Sequence, residues 1–70
     1  MSMNLYTVDL TDISEKERAS ILEYLDKYAY DGMHQKPHTF IYECCIDRKD
    51  ISTVLQNVPE SLLRPGPSKS

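Results

Sequence analysis

Seventy residues, 40% hydrophobic and 27% charged, are too apolar for a disordered chain and too few for more than one small domain. A chain of this length buries only roughly 60% of the surface its unfolded form exposes, so a partner subunit or another staple is expected to support it. The net charge of −3 argues against direct nucleic-acid binding, which needs a basic stripe to neutralise phosphates.

The acids are unevenly placed. Residues 1–31 hold seven (Asp9, Asp12, Glu15, Glu17, Glu23, Asp26, Asp31) against three bases (Lys16, Arg18, Lys27). That half suits a protein partner with a basic surface, or a solvated helix face. The N-terminal stretch has neither a basic n-region nor an apolar h-region, and no run is long enough to span a bilayer. A cytoplasmic protein with reduced thiols, away from membranes, is the expectation.

In chain order, NLYTVDL (4–10) alternates. Tyr6, Val8 and Leu10 share one side, and Leu5, Thr7 and Asp9 the other, which predicts a strand buried on one face. A helix follows. Ser14 and Glu17 have capping-box spacing, and Ile21, Leu22, Leu25, Tyr28 and Ala29 form an apolar stripe over about four turns. Gly32 is the expected C-cap. Residues 33–38 lack periodicity and contain Pro37, so they read as a loop.

TFIYECCI (39–46) predicts a second strand, with Phe40, Tyr42, Cys44 and Ile46 on one face and Thr39, Ile41, Glu43 and Cys45 on the other. Asp47 is placed to cap a second helix with the stripe Ile51, Val54, Leu55 and Val58, and Pro59 either ends it or opens one further short turn, PESLL. One domain over residues 1–63 and a disordered tail over 64–70 complete the reading.

The expected fold is a small α+β or α/β domain in the order β-α-β-α, its two strands parallel and both helices on one face. That resembles half of a ferredoxin-like topology. Two strands are too few for a stable sheet, so either a third hides in residues 30–38 or a second copy of the chain completes it. A homodimer with Ile41 or Cys45 at the contact is expected, because one helical layer leaves that strand face near water.

Chemistry has one candidate patch. His34 and His38 have zinc-ligand spacing, but Cys44 and Cys45 are neighbours on a strand and point to opposite faces, so they do not chelate one ion. A metal protein or small enzyme using His34 and His38 with Cys44 or Cys45 is the alternative. The preferred reading makes both thiols small hydrophobes, with no metal, no cofactor and no catalytic residue. Nucleic-acid binding through Lys36, Arg48 and Lys49 is a third, weaker reading. Asp9 and Asp12, at the end of the first strand, read as turn residues rather than paired catalytic carboxylates.

The expected function is therefore a non-enzymatic protein-binding module, a small inhibitor or regulator that occupies a protein partner. Its contact residues would be Glu17, Glu23, Tyr24, Tyr28 and Tyr30, acids interleaved with aromatic anchors. In size and composition the chain is similar to small accessory proteins of phages and mobile elements that bind host machinery.

Overall fold

The computed structural model describes residues 2–68, and the chain runs β1 (Met3–Asp9), α1 (Glu15–Asp26), β2 (His34–Gln35), β3 (Ile41–Asp47), α2 (Arg48–Asn57) and β4 (Leu63–Pro65). The four strands form one sheet in the order β2-β3-β1-β4, and every neighbouring pair is antiparallel.

This corrects the expected β-α-β-α order and its parallel strand pair. β1 and β3 are sequential among the long strands, yet they pair antiparallel over seven residues, Met3 with Asp47 through Asp9 with Ile41. The α1 crossover does join parallel strands, but they are β1 and β2, each antiparallel to β3, which lies between them. The α2 crossover joins β3 and β4 around β1 in the same way. Two interlocked split β-α-β units result, so the topology expected as a half is complete within one chain.

Alternation decides the core. Val8, Tyr42, Cys44, Ile46 and Leu63 project from one side of the sheet and are buried with Leu25 of α1 and Val54 of α2, and with Leu10 and Val58 just beyond the regular elements. Both helices therefore lie on the same side. At roughly 1.5–3 kcal/mol for each fully buried aliphatic side chain, this cluster is the main support of so small a fold. Ser14 caps α1 by accepting from the Glu17 amide at 3.2 Å, and the Asp47 carboxylate caps α2 by accepting from the Lys49 amide at 3.0 Å.

α1 stops earlier than its apolar stripe implies. The amides of Tyr28 and Ala29 both reach the Leu25 carbonyl, a tightened last turn. The sheet then takes the chain: Ala29 bridges to Ile46, and the Tyr30 amide donates to the Cys45 carbonyl at 2.8 Å. Gly32, at φ +81°, turns the chain between that bridge and β2 rather than capping the helix.

Residues 33–38 contain the hidden strand. Lys36-Pro37-His38-Thr39 forms the turn from β2 to β3, with the Thr39 amide on the Lys36 carbonyl at 3.2 Å and His38 at φ +61°. Proline followed by a positive φ is the pattern of a type II turn. Phe40, assigned to the second strand's buried face, instead precedes β3 and is exposed, with the Arg18 guanidinium 3.8 Å above its ring. Arg64 and Pro65, expected in a disordered tail, pair with Thr7 and Tyr6 in β4. Proline is tolerated there because β4 is an edge strand.

His38 occupies a backbone region that disfavours a side chain. His38→Gly is expected to raise stability by about 0.5–1 kcal/mol, the relief of strain exceeding glycine's extra unfolded-state entropy. Urea denaturation of the two chains checks this, and an unchanged or lower midpoint contradicts the assignment.

Candidate functional site

The expected contact residues divide into three groups. Glu17 and Glu23 are exposed on α1, and Glu17 accepts from the Ser14 hydroxyl at 3.4 Å within the cap. Tyr24 and Tyr28 are half-buried and pack against each other, ring centroids 5.3 Å apart and tilted by 54°. The Tyr24 hydroxyl donates to the Thr53 carbonyl at 3.3 Å and accepts from the Asn57 side-chain amide at 2.9 Å, so it ties α1 to α2. The hydrogen bond from Tyr28 to Tyr24 favours the protonated phenol and raises the Tyr28 pKa. Tyr30 stands apart at the sheet edge beside Cys45, 70% exposed.

The thiols fall on opposite faces, as strand alternation requires. Cys44 is buried in the core and Cys45 is half-buried on the far side. Desolvation first, and the neighbouring Cys45 second, push the Cys44 thiol up to about 11. His34 lies on β2 opposite Glu43, with Nε2 3.5 Å from the Asp31 carboxylate, while His38 sits at the turn tip. Among the described residues no three His, Cys, Asp or Glu side chains gather where they could hold one metal ion.

The sheet face away from the helices carries the more informative arrangement. Strand registers place residues in rows across it: Met3 with Asp47, Leu5 with Cys45, then His34, Glu43, Thr7 and Arg64 across all four strands, and Asp9 with Ile41. The two rows nearest the β1 start carry exposed apolar side chains, Met3 at 36% and Leu5 at 38%, with Tyr30 adjoining Cys45. The other end is partly covered by the chain itself. After β4, Gly66 at φ +93° turns the backbone onto this face. Its amide donates to the Leu5 carbonyl at 2.8 Å and its carbonyl accepts from the Thr7 hydroxyl at 2.7 Å. The Ser68 amide then donates to the Glu43 carboxylate at 2.8 Å. A cleft of about 280 Å³ remains between this segment and Asp9, Ile41 and Arg64.

Asp9 itself closes a local turn. Its carboxylate accepts from both the Thr11 hydroxyl (2.6 Å) and the Thr11 amide (3.0 Å), and these bonds lower its pKa. No helix is long and apolar enough to cross a membrane among the described residues. Sequence reasoning placed Ile41 and Cys45 on this face but gave no role to Met3, Leu5, Thr7, Glu43 or Arg64. The alternation of β1, with Leu5 and Thr7 opposite Tyr6 and Val8, already held that signal.

Comparison with protein-family models, with curated proteins and with solved structures gave no match.

Two outcomes check this geometry. Tyr24→Phe is expected to destabilise the fold by about 0.5–1 kcal/mol, the net worth of its helix-to-helix hydrogen bonds, measured by urea denaturation. The second concerns the thiols. At about pH 8 a small alkylating reagent should modify Cys45 readily and Cys44 only after unfolding, because the thiolate is the reactive form. The raised Cys44 pKa also has a sign. Above its ordinary value of 9.0 the unfolded chain loses a proton that the folded chain keeps, so stability falls as pH rises from 9.0 towards about 11. A Cys44→Ala chain should lose less stability over that range. Equal alkylation of both thiols in the folded state contradicts the assignment.

Proposed function

We propose that the protein is a non-enzymatic protein-binding module, a small regulator or inhibitor that acts by occupying a protein partner, and that its contact surface is the sheet face without helices. The observation that carries this reading is that Met3, Leu5 and Tyr30, three of the five exposed large hydrophobics among the described residues, gather at one end of this face, while Phe40 lies under the Arg18 guanidinium and Leu55 on α2. Polar groups surround that end, the arrangement of an interaction patch with an apolar centre. Tyr30 supplies the aromatic anchor. Tyr24 and Tyr28 serve the fold instead, which moves the proposed contact from α1 to the sheet.

The acids of α1 remain exposed on the opposite face, Glu23 among them, and they favour a basic partner through long-range attraction rather than contact. Their effect is expected on association rate and salt dependence more than on residence time.

The same face is where a second copy of the chain would sit. One motive for a homodimer falls away, since one chain supplies four strands; the uncovered apolar row keeps the other. The Cys45 end is then the contact, because the segment after β4 covers the face near Ile41.

The test uses Leu5→Glu, a change at an exposed position that should leave the fold intact. Wild-type chain at micromolar concentration is expected to scatter light as twice the 8.1 kDa chain mass, and Leu5→Glu as a single chain. With extract of the source cells, the wild type and a Gln56→Ala control should retain the same partner, while Leu5→Glu and Tyr30→Ala lose it. Equal retention by all four chains contradicts the placement of the contact, and a wild-type monomer contradicts the dimer.

A further inference from the structure

The segment from Pro65 to Ser68 crosses the open sheet face through a bend at Gly66, and the manner in which it is held is specific to backbone groups. Thr7 presents a hydroxyl donor and Glu43 a carboxylate acceptor, side by side in one row of the sheet. The donor takes the Gly66 carbonyl and the acceptor takes the Ser68 amide. Between these lies Pro67, which has no amide hydrogen to leave unpaired. The amides of Gly66 and Ser68 are thus both satisfied, the first by the Leu5 carbonyl. Pro65 and Pro67 flank the cleft above Ile41.

We propose that the Thr7–Glu43 row with Ile41 is a docking site for a partner protein's proline-flanked peptide segment that bends at a glycine, and that residues 65–68 fill it as a built-in competitor. The occupant follows from the contacts. Two side chains read the Gly66 carbonyl and the Ser68 amide, so they recognise the backbone of a bent segment rather than a side chain. Proline on both sides of the carbonyl fixes φ at those two residues and lowers the ordering cost of docking. Glycine at the turn lets the chain's own copy reach the site, since φ +93° is a conformation that other residues adopt with strain. The site competes with itself: a segment in trans binds only the fraction of molecules whose own segment has lifted.

The inference names a partner chemistry for the binding module and takes its biological meaning from that reading. Its test is separate, because partner capture is read at Leu5 and Tyr30.

The experiment uses the full chain and a synthetic peptide of sequence PGPSKS, followed by amide chemical shifts in NMR titrations. No heavy atom lies within 4 Å of a Cβ placed at Gly66, so Gly66→Val introduces backbone strain without a clash and should lift the segment. The peptide is expected to move the amide resonances of Thr7, Ile41 and Glu43 in Gly66→Val, with a Kd about tenfold below that for the wild type. Adding Glu43→Gln to Gly66→Val should abolish the shifts. In the wild type, excess peptide should move the Ser68 amide resonance along with that of Thr7, as one segment displaces the other. Equal Kd values for wild type and Gly66→Val, shifts centred on the helices, no binding, or a Ser68 amide that ignores the peptide would each overturn the proposal. If Gly66→Val unfolds, the wild-type displacement alone decides the question.

Discussion

Two helices of twelve and ten residues cover one face of the four-stranded sheet, and among the described residues no second helical layer covers the other. That limit governs most of what is seen. The covered face takes Val8, Tyr42, Cys44, Ile46 and Leu63, and these with Leu10, Leu25, Val54 and Val58 form a single core. The other face must meet water, a partner or the chain's own tail. Period-two alternation in β1 and β3 carries the limit down to single residues. Cys44 becomes an inert core thiol, while Cys45, its neighbour in sequence, lies on the surface side.

The open face is polar across its middle row and apolar at one end. Its middle row pairs a carboxylate with a hydroxyl, and the segment after β4 satisfies both. The apolar end, Met3 and Leu5 beside Tyr30, has no such cover among the described residues. A face divided in this way supports the binding reading better than the helix surface does. Tyr24 of α1 is held by Thr53 and Asn57 across the helix pair, and Tyr28 packs on its ring, so both serve the fold. The edges of the sheet are short, two and three residues, which limits uncontrolled strand addition.

Much of this was legible in the sequence. The β1 alternation, the Ser14 and Asp47 caps, and the burial of Cys44 follow from local rules that tertiary structure did not override. What escaped has a common physical cause. β2 is two exposed residues without periodicity, and β4 is three residues in a Pro/Gly-rich stretch; each exists because a longer strand offers it an edge. Without them, β1 and β3 appeared to be a parallel pair joined by a crossover. Their presence converts the same crossover into a split unit and reverses the pairing. Ala29 shows the same competition in miniature. It continues the helical stripe of Leu22 and Leu25, yet the edge of β3 captures it. The candidate site was legible in part: Ile41 and Cys45 were placed on the uncovered face, whereas the roles of Thr7 and Glu43 depend on a tail whose path no local pattern encodes.

The central claim is that the protein meets other chains through the uncovered sheet face. Solvent paramagnetic relaxation of side-chain protons, followed from dilute to concentrated protein, tests it most directly. In dilute solution Met3, Leu5 and Tyr30 should relax fast and Leu25 and Val54 slowly. Rising concentration, or added partner, should protect Met3, Leu5 and Tyr30 while leaving the exposed residues of α1, such as Glu23, unchanged. Protection that appears on α1 instead, or an open face already as shielded as Leu25 at high dilution, would contradict the account.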